Sequence, residues 1–483
     1  MNLPAIIRIL SILLGVVGVA VMLPALVALN YGEDDWKVFL TVGGSVAATG
    51  AVVSFLFRRH SELRVKDGFL LVTLVWLTAP MVGALPFYFL GTFPSYIDAL
   101  FEAVSGFSTT GASVLVDFDH TSHAVYFWRS LILWIGGMGI IVLGVVILPT
   151  LGISGMHLFR REVSGGPMAD KMTPRLRDTA MATWSIYAVL TAAQTTTLFL
   201  LGMPLFDAVN HSMATMATAG FGVKADSFAG YNSPAIEWAT IFFMAVAATN
   251  FSLHYFYVIG RGNLKVYLKD REFRWFMVGL TTASLAVSLY LFLKAGYGWE
   301  KALTKGTFQV VSIMSTTGFA SDDFALWGPF PQLILFLSMI VGGMAGSTAG
   351  AVKWMRVMLM FKFIRVELIR LLHPRVVVHA KIGHAQVTPA IINNVFAFFF
   401  LYMTVLAFST LALTWYGIDL VTAASAVATC LGGVGPGFGS VGPMGNFSAM
   451  PDGVKLILSG DMILGRLELM TAMALFLPQY WTK

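Results

Sequence analysis

Ser108-Thr109-Thr110-Gly111-Ala112-Ser113 is the stretch that decides the fold, because it does not stand alone. Similar turns stand at Ala217-Thr218-Ala219-Gly220-Phe221-Gly222 and Ser315-Thr316-Thr317-Gly318-Phe319-Ala320. A more divergent one is Gly432-Gly433-Val434-Gly435-Pro436-Gly437. The matching glycines, 111, 220, 318 and 435, recur at intervals of 109, 98 and 117 residues, too long for a solenoid unit. Each turn is preceded by an apolar run and a short segment, and is followed by a second apolar run. Around the first turn these are residues 69–90, 95–107 and 124–148. A single such glycine is ordinarily a helix-packing residue. Four in equivalent contexts point instead to four repeats around one axis.

Composition sets the solvent. Of 483 residues 57% are apolar and 12% charged, against about 25% charged in an ordinary soluble domain. Apolar runs of about 20 residues recur along the chain, each long enough to cross a hydrocarbon core about 30 Å thick. The chain therefore reads as an all-α polytopic membrane protein embedded in a lipid bilayer. The short segment before each turn cannot cross. It must enter from the outer face and return as irregular backbone, which is tolerated at that depth only around a protein-enclosed aqueous cavity.

Charge gives the orientation. Basic clusters lie at Arg58, Arg59, Arg64 and Lys66, and at Arg160, Arg161, Lys171, Arg175 and Arg177. Others are Arg261, Lys265, Lys269, Arg271 and Arg274, then Lys353, Arg356, Lys362, Arg365, Arg370, Arg375 and Lys381. Acidic loops alternate with them: Glu33, Asp34 and Asp35, then Asp117 and Asp119, Asp226 and Glu237, Asp322 and Asp323. The positive-inside rule places the basic set and both termini in the cytoplasm. The net charge of +6 is thus a topology signal rather than a nucleic-acid footprint. A lone cysteine, Cys430, excludes an intrachain disulfide. The first apolar run, residues 9–30, reads as one retained helix, with no clear signal-peptide cleavage site after it.

The turns suit a cation. Backbone carbonyls can replace an ion's hydration shell, and glycine lets backbones approach an axis. No carboxylate lies within the four turns, which argues against a divalent-cation ring. The C-terminal end of each short helix would aim its negative dipole at the axis. Asp98 and Asp207, each 13 residues before its glycine, suit the positive helix start, as does Asp419 in the fourth repeat; the third repeat has Lys305 there.

Together with GGMAGSTAG at 342–350 and GPGFG at 435–439, these turns resemble the Trk/Ktr/HKT potassium-transporter superfamily, most closely its bacterial TrkH-type subunits. The resemblance covers the whole chain. It implies an N-terminal two-helix unit (1–60) and four membrane helix–pore loop–membrane helix repeats (61–160, 161–270, 271–380 and 381–483) around a pseudo-fourfold axis. It implies a selectivity filter formed by Thr109, Thr110 and Gly111, by Thr218, Ala219 and Gly220, by Thr316, Thr317 and Gly318, and by Val434 and Gly435. Their carbonyls would hold potassium as the transported ion, with no other cofactor. Glycine rather than serine in the first loop favours potassium over sodium. The fourth loop has Gly432 and Gly433 where TrkH-type proteins often carry asparagines, which leaves its register open.

Two gates follow from the same reading. Residues 342–350, with Gly343, Gly346, Ser347, Thr348 and Gly350, interrupt an apolar run. They read either as a close helix contact or as a flexible intramembrane loop beneath the filter. Lys353 beyond it would position the loop or mark the cytoplasmic boundary. Arg466 falls near the middle of the last apolar run, residues 455–477, where a charge is costly and faces protein or water. It either ties helices through backbone carbonyls or places its charge in the pore, as in similar TrkH-type proteins. Glu468, two residues on, lies on another helix face and is not expected to pair with it.

His211, His254, Asn250, Asn393 and Asn394 read as helix-contact residues. The function expected is gated, channel-like passage of potassium and rubidium across a bacterial inner membrane. The alternative is a secondary transporter coupling potassium to sodium or protons, weakened by how few carboxylates lie mid-span. No nucleotide-binding or catalytic motif occurs in a suitable context, so the chain is not read as an enzyme. The resemblance further implies a homodimer and a cytosolic TrkA-type nucleotide-binding regulatory subunit. Candidate docking surfaces are residues 160–177, 261–274 and 353–381.

Overall fold

The computed structural model describes residues 2–58, 65–142, 176–373, 381–382 and 385–481. The N-terminal unit consists of α1 (Leu3–Met22), α2 (Pro24–Tyr31) and α3 (Trp36–Leu56). The expected single first helix is divided at Leu23, because Pro24 opens a new helix. Glu33 ties this unit to the rest of the chain. Its carboxylate accepts the backbone N–H groups of His123 and Ala124 at 2.8 and 3.1 Å.

The first repeat contains α4 (Val65–Phe89), α5 (Tyr96–Phe107) and α6 (His123–Val142). The second contains α7 (Leu176–Leu200), α8 (Leu205–Met216), α9 (Pro234–Ala247) and α10 (Phe251–Ile259), followed by the short α11 (Lys265–Lys269). The third comprises α12 (Arg271–Lys294), α13 (Trp299–Met314), α14 (Pro329–Val341) and α15 (Trp354–Leu372). The fourth comprises α16 (Pro389–Trp415), α17 (Leu420–Gly432) and α18 (Asp452–Arg466), with α19 (Met470–Met473) and α20 (Pro478–Trp481) after it. Two-residue strands at Lys381–Ile382 and Ala385–Gln386 form the one small sheet among the described residues. Arg59, Arg64, Arg160, Arg161, Lys171, Arg175 and Arg375 lie outside the described residues. So do most of the docking segment 160–177 and the end of the apolar run expected at 124–148.

Among the described residues, five helical segments are long and apolar enough to cross a membrane: Leu3–Tyr31, α3, Lys66–Phe89, α12 and α16. The second long helix of each later repeat is broken. Between α9 and α10 the chain bends by 94°. Between α14 and α15 it runs through the glycine-rich loop, and beyond α18 it breaks at Leu467–Leu469. The last apolar run is therefore not one span. Arg466 closes α18 rather than sitting mid-helix.

The short helices α5, α8, α13 and α17 are exposed or half-buried at their first turns and buried towards their C-terminal ends. Each packs on the first long helix of its own repeat: α4, α7, α12 and α16. Each also packs on the second helix of the preceding repeat, in the pairs α6–α8, α9–α13 and α14–α17. The fourth such contact, α18 on α5, returns to the first repeat and closes the cycle. A closed ring of four hairpins is what lets irregular backbone lie in the interior without meeting lipid.

Candidate functional site

Each short helix ends in the same way. Thr109, Thr218 and Thr316 take φ values of 57°, 53° and 59°. Their N–H groups bond back three residues, to Gly106, Thr215 and Ile313. The next residues, Thr110, Ala219 and Thr317, bond back five, to Ser105, Ala214 and Ser312, at 2.9, 3.0 and 2.8 Å. This is the paired 5→2 and 6→1 pattern of a left-handed helix cap. The fourth loop repeats it with Gly433 (φ 69°) bonded to Cys430 and Val434 bonded to Thr429 at 2.9 Å. Val434 is therefore the counterpart of Thr110, and Gly435 that of Gly111.

The caps turn four glycines towards each other. A methyl group on Gly111 would lie 2.4 Å from the amide nitrogen of Gly220. On Gly220 it would lie 2.8 Å from the carbonyl oxygens of Thr317 and Gly318; on Gly318, 1.8 Å from that of Val434. On Gly435 it would lie 2.9 Å from the carbonyl oxygen of Thr110, which completes the circle. Gly111, Gly318 and Gly435 also hold φ values of 81°, 80° and 108°. The sequence-predicted turns thus form one ring of backbone, with Thr109, Thr110, Thr218, Thr316, Thr317 and Val434 all buried.

Charges behind the ring brace it. Arg129 of α6 pairs with Glu102 of α5 at 2.8 Å, and both are buried. Arg129 also donates to Ser113 Oγ at 3.0 Å and to the Gly222 carbonyl at 3.1 Å, joining the first and second loops. Glu102 accepts the N–H of Val114 at 2.9 Å. In the third repeat Gln309 takes the corresponding place and accepts the N–H of Ser321 at 2.9 Å. Two further pairs cross repeat boundaries: Lys305 with Glu237 at 2.6 Å, and Lys455 with Asp98 at 2.5 Å. The lysine that departs from the acidic pattern is therefore half of a clamp with reversed polarity. Asp207 instead accepts from Tyr231 Oη at 2.7 Å, and Asp419 caps α17 through the N–H of Thr422.

The sequence reading missed Glu102, Arg129, Glu237 and Lys455 as site residues. Their available signal was an ionisable residue inside an apolar segment, a costly placement that normally has a partner.

The loop at 342–350 lies against the ring. Gly350 donates its N–H to Thr316 Oγ1 at 2.9 Å, and a methyl on Gly350 would lie 2.2 Å from the Gly432 carbonyl oxygen. The Thr348 hydroxyl donates to the Met216 carbonyl at 3.0 Å, at the end of α8. Further along, the loop fills the break between α9 and α10. Met344 N–H bonds the Ala248 carbonyl, and Phe251 N–H bonds the Gly346 carbonyl, both at 3.0 Å. Asn250 caps α10 there and lies against Gly346. The Gly343 carbonyl accepts from Trp354 N–H at 3.0 Å, and Ser347 Oγ donates to Met344 at 2.6 Å. Buried Glu272 receives the N–H of Ala345 at 2.7 Å.

Arg466 reaches the loop from the fourth repeat. It donates to the Thr348 carbonyl at 2.9 Å and to the Gly136 carbonyl of α6 at 3.1 Å. Both carbonyl bonds and a position at the loop are thus combined in one residue. Glu468 does not pair with Arg466, but the reason is not a helix face: it lies in the break beyond α18 and pairs with Lys353 at 3.1 Å and Arg356 at 2.6 Å. Four non-glycine residues at this junction have positive φ: Ala351 (60°), Lys353 (72°), Glu468 (56°) and Leu469 (40°).

Elsewhere, His211 meets Tyr231 at 3.1 Å, and His254 meets Tyr267 at 2.8 Å. Asn393 and Asn394 are exposed rather than buried between helices. Among the described residues no group of three or more His, Cys, Asp or Glu side chains is placed to hold a metal ion. In the acidic loops, the Lys37 ammonium beside Asp34 holds that carboxyl below its usual range, and hydrogen bonds from His120 do the same for Asp117. Both therefore keep negative charge at neutral pH.

Four re-entrant helices converging on one backbone ring, with a loop seated against it, define an all-α, pseudo-fourfold membrane protein. A family model described as TrkH, cation transport protein, matches residues 37–483, and the chain belongs to that family. It is 40% identical to the Trk system potassium uptake protein TrkH of Salmonella typhimurium, with all of both chains covered. It is 39% identical to the protein of that name from Escherichia coli K12, again over the full length of both. The crystal structure of the potassium transporter TrkH from Vibrio parahaemolyticus matches with a TM-score of 0.92 at 38% identity, covering 100% of each chain.

Proposed function

We propose that this chain carries potassium, and rubidium in its place, across the bacterial inner membrane through a single gated pore. The observation that carries the reading is the closed ring of loops around Gly111, Gly220, Gly318 and Gly435, each glycine facing the backbone of a neighbouring loop. Backbone in that arrangement offers carbonyl oxygens to a dehydrated cation without a fixed charge. The carbonyls of Thr109, Thr110, Thr218, Ala219, Thr316, Thr317 and Val434 belong to the same filter. Full-length similarity to potassium uptake proteins supports potassium as the ion. Residues 342–350 form the gate, and Arg466 anchors it through Thr348. The five-unit division at residues 60, 160, 270 and 380, the cytoplasmic termini, a homodimer and a TrkA-type regulatory subunit belong to the same proposal. The exposed basic residues of 261–274 and 353–373 offer part of the docking face.

The test is rubidium uptake into sealed liposomes containing only this subunit, driven by an outward potassium gradient. Exchange blocked by potassium but not by sodium is expected. Flux only after a sodium or pH gradient is imposed would overturn the passive pore in favour of coupled transport. Arg466→Ala should raise flux by removing the anchor on Thr348; unchanged flux in folded protein would remove Arg466 from the gate.

A further inference from the structure

Behind the fourth loop lies a carboxyl group that the filter and gate do not use. Asp461 is nine residues into α18, about 13 Å along a helix that rises 1.5 Å per residue. It is 3% exposed. Oδ1 accepts a hydrogen bond from Ser409 Oγ of α16 at 2.8 Å, while Oδ2 is buried with no hydrogen-bond partner. Two more oxygens on the helices packed around α18 share that condition: Tyr402 Oη of α16 and Thr429 Oγ1 of α17.

Among the described residues no cation is paired with Asp461. On its own helix, Lys455 is bound to Asp98, and Arg466, five residues further on, donates to the carbonyls of Thr348 and Gly136 and leaves Nε without a hydrogen-bond partner. On α5, which also packs against α18, Asp98 is taken by Lys455 and Glu102 by Arg129. The titratable groups facing Asp461 from α16 and α17 are Tyr402 and Cys430, both within its electrostatic reach. Neither is a cation. An ionised carboxylate with one hydrogen bond in a dry helical bundle is costly. A neutral acid needs no counter-ion, and it gains an O–H that can donate at this site.

We propose that Asp461 is a proton-binding site of the fourth repeat, neutral in the packed arrangement and ionised when α18 loosens against α16 and α17. This rests on the pore reading above. Its own helix and the one packed on it explain its reach: α17, packed on α18, carries the fourth filter loop, and α18 ends at the residue that anchors the gate. Ionisation disfavours the packed arrangement, so raising the pH through the titration range releases the anchor and flux rises. Lowering the pH restores the proton and the closed packing.

Rubidium flux through the full-length protein in liposomes, with equal pH on both sides, reads this directly. Wild-type flux should rise with pH by up to about tenfold per pH unit, the limit for one proton-binding group. Asp461→Asn, neutral at every pH, should stay at the low-pH flux throughout. An asparagine variant that keeps the wild-type pH profile would overturn the proposal. So would an aspartate-dependent response to sodium at constant pH, which would make the ligand a metal cation. Infrared difference spectra of the purified protein give a second readout that needs no transport. A protonated-carboxyl band that fades as pH rises and is missing in Asp461→Asn supports the site, and its absence from wild type refutes it. Flux that is absent at every pH would count against the pore reading alone, leaving the infrared band to decide the protonation of Asp461.

Discussion

The four-loop ring and the loop seated beneath it are both rich in glycine, yet they are held by opposite means. Each ring loop is fixed by its own short helix, through a cap made of backbone hydrogen bonds and through contact with the next loop. No charged side chain takes part in the ring itself; the charges stand behind it. The loop proposed as the gate has no helix of its own within residues 342–350. It is held by side chains and backbone from elsewhere in the chain: Thr316 and Glu272 of its own repeat, Ala248 of the second and Arg466 of the fourth, with the Lys353–Arg356–Glu468 cluster at its exit. A structure held by local backbone bonds resists change. One held by separable contacts between repeats can exchange two arrangements, which a gate requires.

The largest effect is expected where that comparison is sharpest, at Gly318. Its φ of 80° is closed to most side chains, and an added methyl would meet the Val434 carbonyl oxygen at 1.8 Å. Backbone cannot swing aside as a side chain would. Gly318→Ala should therefore abolish selective rubidium flux while the protein still folds, since the change is confined to one loop. Selective flux at more than about a tenth of wild type, a loss of under about 1.4 kcal/mol, would show that the ring is as pliable as the gate.

The gate side should respond in the opposite sense. Glu468 joins two cations of the third repeat to the strained break after α18. Glu468→Gln keeps the size of the group and removes its charge. Losing charge-assisted bonds at this partly exposed site costs about 2 kcal/mol, so flux should rise by about tenfold or more if the cluster holds the closed arrangement. The measurement is initial rubidium uptake beside a thermal stability curve. A fall in flux with preserved stability would make the cluster a support of the open arrangement instead.

What the sequence revealed follows the same division. Four repeats, the short helices and all four ring glycines were legible, because local rules set them: segment length against membrane thickness, and a polar turn after each short helix. Even the open register of the fourth loop resolves through a local rule, with Gly433 at the cap position that threonine fills elsewhere. Contacts between repeats were not legible. Lys305 read as a departure from an acidic pattern until Glu237 of the preceding repeat stood beside it. Arg129 lay unnoticed in an apolar run, although it links two loops through Glu102, Ser113 and Gly222. The last apolar run read as continuous because its composition carries no proline or glycine at Leu467–Leu469, where the chain breaks. Such partners are set by which repeat follows which around the axis, and no local spacing encodes that.

The smallest effects should separate the two modes of support within one residue type. Thr218 and Thr316 both hold φ values near those of a left-handed cap, which cost a non-glycine residue about 1–2 kcal/mol. The Thr218 hydroxyl donates only to the carbonyl beside it, that of Ala217, at 2.7 Å. The Thr316 hydroxyl instead receives the N–H of Gly350 in the gate loop. Glycine at either site removes the strain but adds backbone freedom to the unfolded chain, worth about 0.5–1 kcal/mol in the opposite direction. Thr218→Gly should thus stabilise the protein by about 1 kcal/mol or less and leave the flux of the closed form unchanged. Thr316→Gly should gain the same local relief and lose one bond between ring and gate, worth about 0.5–1.5 kcal/mol. Its flux should rise roughly two- to twelvefold, while Thr316→Ser, which keeps the hydroxyl, stays near wild type. Equal behaviour of Thr218→Gly and Thr316→Gly would mean that the gate loop rests against the ring without being held by it.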